Sequence, residues 1–174
     1  MKNIVLKHGL ITGIFITSFM VFYYVIFYPF LIRHNEYCSL GLLGLIGSFS
    51  MVFFGILEYR DKVNNHIISF KKAFKIGFLI SLMGSLIYLA YYTINYHFFK
   101  PSLLEREISY QLRPQKIEHL NKESIQALTD RIKEYRNSFH NPIYFILNTL
   151  GDALPFGLFF TLISALILKR KAKI

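Results

Sequence analysis

Four long apolar stretches, separated by clusters of charged residues, constrain the fold of this chain more than any other feature. The first two, residues 9–32 and 38–57, contain no Asp, Glu, Lys or Arg, and the others run over residues 76–98 and 143–168. About 20 apolar residues are enough for a helix to cross the ~30 Å hydrocarbon core of a bilayer. The sequence therefore predicts an all-α integral membrane protein with four transmembrane helices.

The composition agrees with a membrane location. Hydrophobic residues make up 53% of the 174 residues, above the roughly 45–50% of a soluble domain, and the net charge is +10. Because Lys and Arg flank the apolar runs and form no basic domain of their own, we expect a lipid bilayer and no nucleic acid as partner. The first run is too long for a cleavable signal, and the single Cys38 allows no intrachain disulfide.

Small residues recur at helical spacing in each stretch, which is typical of helix contacts in lipid. The short polar link of residues 33–37 also predicts an antiparallel hairpin between the first two helices. We therefore expect a compact left-handed four-helix bundle, with a homodimer seam as the alternative for one of these faces. The small residues are Gly9 and Gly13, then Gly41, Gly44, Gly47 and Ser48, then Gly77, Ser81 and Ser85, and finally Gly157, Thr161 and Ala165.

The polar stretch 58–75 precedes the third helix. Ser69 is a candidate N-cap, so this helix should begin in the headgroup region with its lysines reaching towards water. Glu58, Arg60 and Asp61 are interpreted as a solvated or salt-bridged loop. Their candidate partners are each other, Lys71 and Lys72.

Residues 99–141 differ from the rest of the chain because they hold eight Lys or Arg and six Asp or Glu. Within them, residues 121–139 predict an amphipathic helix that Asn121 caps. Its apolar stripe consists of Ile125, Leu128, Ile132, Tyr135 and Phe139. The fourth helix should open at Asn141, which is followed by Pro142.

The placement of positive charge predicts the orientation. The termini and the 58–75 loop together carry 11 Lys or Arg and a net charge of +9, against 9 and +2 for the other side. The positive-inside rule then places both termini in the cytoplasm, in the cell membrane, and residues 99–141 outside. Tyrosines cluster towards the predicted outer side, as an aromatic belt or, alternatively, as an aromatic ligand site: Tyr23, Tyr24, Tyr28, Tyr88, Tyr91, Tyr92, Tyr96 and Tyr144.

Asp152 is the one acidic or basic residue inside an apolar run, close to the predicted outer edge. We interpret Asp152 as structural or interfacial. The alternative is a site that binds a cation or relays a proton, because Pro155 leaves the carbonyl of Gly151, beside Asp152, without its helical partner. The polar neighbours at a similar depth are Asn95, His97 and Asn148. The histidines show no metal-binding spacing and no catalytic motif occurs, so we expect no metal, no cofactor and no enzyme activity.

Two segments resemble a known family. The first consists of Phe53-Phe-Gly-Ile-Leu-Glu-Tyr-Arg-Asp-Lys62 followed by Ile68-Ser-Phe-Lys-Lys-Ala-Phe-Lys-Ile-Gly77. The second consists of Pro155-Phe-Gly157, the apolar run that continues to Leu168 and the basic tail after it. The chain resembles, outside residues 99–141, an uncharacterised family of small four-helix membrane proteins abundant in Bacteroidetes-type bacteria. The resemblance implies fold and location but no activity. Many relatives have Gly where Asn65 stands.

The leading hypothesis is a non-enzymatic membrane component that meets a partner protein or a lipid surface through residues 99–141. The alternative is a small oligomeric transporter or channel whose path is lined by Asp152.

Overall fold

The computed structural model describes residues 1–23, 40–111, 118–138 and 141–170. Regular secondary structure in these ranges is entirely helical. The helices are α1 (Lys2–Phe22), α2 (Leu40–Phe49), α3 (Met51–Lys62), α4 (Phe70–Gln111), α5 (Lys122–Ser138) and α6 (Pro142–Leu168). The predicted link 33–37 and the last part of the predicted first span lie outside the described residues.

Among the residues that the structure describes, four helical segments are long and apolar enough to cross a membrane: Lys2–Phe22, Leu43–Lys62, Phe70–Asn95 and Pro142–Leu168. The prediction of an all-helical chain with four candidate membrane-spanning helices is confirmed. The chain is a multi-pass membrane protein.

Helix bounds differ from the predicted spans at several ends. Helix α1 begins at Lys2, before Gly9, and α4 continues to Gln111, beyond residue 98. The predicted second span is made of α2 and α3, which meet at Ser50, where the Ser50 amide still donates to the Ile46 carbonyl at 3.2 Å. There the Ser50 hydroxyl donates to the Gly47 carbonyl, and the Phe53 amide donates to the Ser50 carbonyl at 3.0 Å. A serine that bonds back to the preceding turn in this way commonly bends a helix.

The three predicted N-caps are confirmed. The Lys72 amide donates to Ser69 Oγ at 3.4 Å, and the Ser124 amide donates to Asn121 Oδ1 at 2.8 Å. Asn141 Oδ1 accepts from the Ile143 amide at 3.0 Å, immediately before α6. These side chains satisfy amides that have no partner inside their helices, which is why α4, α5 and α6 start where they do.

The chain divides into two units. Unit 1 comprises Met1–Tyr91 and Leu150–Ile174, and unit 2 comprises Tyr92–Thr149. Unit 1 holds the buried side chains Phe49, Val52, Ile56, Ile76 and Ile80. In unit 2, the rings of Tyr92 and Phe145 stack with their centroids 5.6 Å apart, and the apolar stripe of α5 is half-buried at Ile125, Leu128 and Ile132.

Small residues lie at helix contacts within unit 1, as predicted. A Cβ added to Gly13 would lie 2.5 Å from Ile87, and one added to Gly77 would lie 2.8 Å from Thr161. Gly9 and Gly157 likewise approach other helices so closely that a Cβ would meet a side chain within 3.0 Å. The predicted bundle contact is wrong for Gly47, because a Cβ there would meet nothing within 4 Å. The alternative of a homodimer seam stays a prediction.

Candidate functional site

The four polar residues singled out in the sequence do not fall in one unit. Asp152 belongs to unit 1 and is exposed on α6, whereas Asn95, His97 and Asn148 belong to unit 2. Asn95 and Asn148 are half-buried. Among the described residues no Lys, Arg or His forms an ion pair with Asp152. The intramembrane polar site at these residues therefore stays a prediction.

Among the described residues of unit 1, a dense set of polar contacts surrounds Glu58, in the last turns of α3. Its Oε2 accepts from Lys7 Nζ at 2.9 Å and lies 2.7 Å from His8 Nε2, both on α1. Its Oε1 accepts from Lys62 Nζ at 3.1 Å. One carboxylate thus ties α1 to the end of α3, and its negative charge is compensated from both helices.

His8 is the buried member of this group. Its side chain is 8% exposed, whereas those of Lys7 and Lys62 are 55% and 72% exposed. The Nδ1 atom of His8 is buried and has no hydrogen-bond partner within the described ranges. A contact between a buried imidazole and a carboxylate is screened much less by water than the two contacts with the exposed ammonium groups.

The contacts of Glu58 with α1 were not predicted from the sequence. Glu58, Arg60 and Asp61 were predicted to pair with one another or with Lys71 and Lys72. Of these pairs, the contact between Arg60 and Asp61 is confirmed at 2.7 Å. A signal was present, however. Antiparallel first and second helices place Lys7 and His8 at the same end as Glu58, so charge complementarity could have paired them.

The turn after α3 is built on left-handed backbone. Asn65 and His66 have φ angles of 48° and 62°. The His66 amide donates to the Arg60 carbonyl at 2.9 Å, and its Nδ1 lies 3.1 Å from Asp61 Oδ1. A positive φ favours glycine and is tolerated by asparagine, which explains physically why Asn65 suits this turn.

Lys72 takes neutral partners instead of the predicted acids. Its Nζ lies 5.2 Å from the ring centroid of Tyr59, which is buried, and donates to Asn64 Oδ1 at 3.2 Å. The Asn64 side-chain amide donates in turn to the Ile67 carbonyl. This cation–π contact and its hydrogen bonds hold the loop against the first turn of α4.

The end of α6 is attached to the same loop. Ile68 donates its amide to the Arg170 carbonyl at 3.1 Å, and the Arg170 amide donates to the Ile68 carbonyl at 2.9 Å. Together with the contact between Lys7 and Glu58, this isolated bridge places α1's first turns, the loop and the end of α6 at one end of unit 1. We call this end the basic end.

Buried hydroxyl groups follow the interior of unit 1 away from the basic end. Thr12 donates to the His8 carbonyl at 2.8 Å. Ser81 donates to the Gly157 carbonyl at 3.0 Å and lies 3.1 Å from the Thr161 hydroxyl. The bond of Thr12 lies within α1, whereas the bond from Ser81 joins α4 to α6. Both satisfy hydroxyl groups that hydrocarbon cannot hydrate.

Within the described ranges, no cluster of three His, Cys, Asp or Glu could hold a metal ion. The basic end contains a charge-compensated carboxylate, Glu58, a buried imidazole, His8, and several exposed cations. Such an arrangement can bind anions and join helices. It offers no nucleophile paired with a base in the part of the chain that the structure covers.

Residues 7–170 match the family described as "Protein of unknown function (DUF4199)". The chain belongs to the DUF4199 family. This confirms the resemblance to an uncharacterised family, and the matched range also runs through residues 99–141, which that resemblance did not cover. No curated protein and no solved structure matches this DUF4199 chain.

Proposed function

We propose that this protein is a non-enzymatic membrane component that binds a partner protein through the segment of residues 99–141, with α5 as the contact element. The main observation behind this proposal is that the apolar stripe of α5 is only partly buried. Ile125, Leu128 and Ile132 are half-buried, so unit 2 covers only part of their surface. An apolar stripe that the protein itself leaves partly uncovered is typical of helices that dock into a groove.

The polar face of α5 favours a protein over a lipid surface. Helices that lie on membranes are rich in Lys and Arg on their polar face. This helix mixes both signs, and Lys133 pairs with Asp130 at 3.5 Å. Its charged residues are Lys122, Glu123, Asp130, Arg131, Lys133, Glu134 and Arg136. Mixed charge of this kind supports specific recognition by a complementary protein surface.

The proposal includes a topology. An even number of crossings puts both termini on one side of the membrane. The first turns of α1 and the end of α6 lie at the basic end, and the positive-inside rule assigns this end to the cytoplasm. The segment of residues 99–141 then faces outward, in the cell membrane of a bacterium. A homo-oligomer would be compatible with the same arrangement.

Photo-crosslinking in intact cells tests the docking proposal. A photoreactive residue at Ile125 or Ile132 should give a discrete protein adduct, because these positions face the partner. The same residue at Glu123 or Glu134, on the charged face, should give little or none. Leu128→Asp should abolish the adduct from Ile132, whereas the matched Glu134→Gln variant should keep it. Adducts of lipid mass alone, or equal yields from both faces, would refute a protein partner.

A small oligomeric transporter is the second proposal, and the buried polar groups of unit 1 favour it. They include His8, whose Nδ1 has no partner within the described ranges, and the contact between Ser81 and Thr161. If Asp152 lines the path, Asp152→Asn should reduce cation flux in vesicles by tenfold or more, whereas the exposed Asp130→Asn should not. Wild-type protein that passes no solute or ion across a broad panel would exclude this proposal.

A further inference from the structure

The basic end of unit 1 carries more cations than its acids can neutralise. Both acidic residues of this end, Glu58 and Asp61, are already in ion pairs with Lys7, Lys62 and Arg60. The described part of the chain provides no acidic partner for the other cations, and Lys72 contacts the neutral Tyr59 and Asn64. These exposed cations, which we call the basic patch, are Lys71, Lys72, Lys75, Lys169 and Arg170.

The fold brings the two halves of the basic patch together. Ile68 is completely buried and exchanges two backbone hydrogen bonds with Arg170. This fixes the residues that follow α6 beside the residues that precede α4, where Lys71 lies three positions after Ile68. Charges from two distant parts of the sequence thus lie at the same end of unit 1, where their excess of positive charge attracts anions.

The depth of the basic patch indicates which anion it meets. Lys71, Lys72 and Lys75 lie in the first turns of the span Phe70–Asn95, and Lys169 directly follows the span that ends at Leu168. Cations at the ends of spans lie at the level of the lipid phosphates. Lysine ammonium groups and an arginine guanidinium, which can donate two parallel hydrogen bonds, both suit phosphate oxygens.

We propose that the basic patch is a binding site for the phosphate groups of anionic phospholipids, with phosphatidylglycerol as the type of headgroup. Free phosphate shares the chemistry, but its ions are not held by acyl chains at the depth where these cations lie. The site is independent of the docking role of α5, because it belongs to unit 1 and α5 to unit 2.

Lipid retention measured on the full-length protein tests this site. The protein is released from nanodiscs that mix phosphatidylcholine with phosphatidylglycerol, and native mass spectrometry counts the phosphatidylglycerol that stays bound. The triple variant Lys71→Gln, Lys75→Gln and Arg170→Gln keeps the backbone bridge and should weaken retention by about fivefold for each cation removed. The matched control replaces Lys122, Arg131 and Lys133 of α5 by glutamine and should change retention less than twofold.

Each outcome decides the matter. Wild-type retention by the triple variant, or equal loss in the α5 control, would overturn the site. Displacement of the lipid by inorganic phosphate but not by chloride at the same ionic strength would overturn the lipid as the ligand, whereas lipid retained in phosphate buffer supports it. Thermal unfolding of all variants in the same detergent is measured beside them. Because the substituted side chains are exposed, unchanged unfolding is expected.

Discussion

Gly157→Leu is expected to destabilise the protein by about 3 kcal/mol, the upper part of the range for overpacked interiors. A Cβ at Gly157 would lie 2.7 Å from Ser81 Cβ and 2.8 Å from Phe49 Cε1. The nearest obstacle is a Cβ close to the α4 backbone and not the end of a flexible side chain, so the helices themselves must separate. Separation would also break the hydrogen bond from Ser81 to the Gly157 carbonyl.

Gly151→Leu is the matched control for that variant. It makes the same change in the same helix, yet a Cβ at Gly151 would meet nothing within 4 Å. Both variants gain the same helix propensity, about 1 kcal/mol, when glycine is replaced inside a helix, so this gain cancels in the comparison. Denaturant titration in detergent, followed by far-ultraviolet circular dichroism, compares the two midpoints. Equal midpoints for the two variants would show that the close approach at Gly157 does not limit stability.

The contact between His8 and Glu58 is expected to carry a coupling free energy of about 1.5–3 kcal/mol, the range for hydrogen bonds to charged groups. Glu58→Met should destabilise the protein because it leaves His8 buried without its 2.7 Å partner. His8→Leu should destabilise it for the reciprocal reason. The double variant should lose less stability than the two single losses combined, because two apolar side chains leave no buried polar group unpaired.

A second cycle on the same carboxylate gives the comparison. Lys62 also bonds to Glu58, but its side chain is 72% exposed. The coupling between Lys62→Met and Glu58→Met should therefore be about 0.5 kcal/mol or less, as for other exposed pairs on a helix. Both cycles are read from unfolding in the same detergent. If the two coupling energies were equal, burial of His8 would not be what makes its contact with Glu58 strong.

Local signals in the sequence determined a large part of this fold. Apolar length predicted the four candidate spans, since the hydrocarbon thickness sets the length that any helix needs. Side-chain oxygens just before a helix predicted the starts of α4, α5 and α6, because a cap acts over two or three residues. The close approaches at Gly13, Gly77 and Gly157 were also predictable, since small residues at helical spacing are what permit helices to meet in lipid.

Sequence spacing did not reveal which residues meet across long separations. Spacing alone does not separate Gly44, whose Cβ would clash with Phe19, from Gly47, which faces open space. Helical rotation relative to a neighbour decides such cases, and that rotation is a property of the whole packing arrangement. The predicted site at Asp152 likewise depends on how the helices are rotated relative to one another. The basic end is defined by tertiary contacts, which sequence spacing does not predict.

The four apolar stretches by themselves determined that this is a multi-pass membrane chain. The reason is that the transfer of an apolar helix into lipid depends on its length and composition alone. Only the tertiary structure decided that Glu58 takes its partners from α1, 50 and 51 residues away, and that Arg170 bonds to Ile68. The physical reason is that a polar contact over such a separation requires the intervening helices to be packed first.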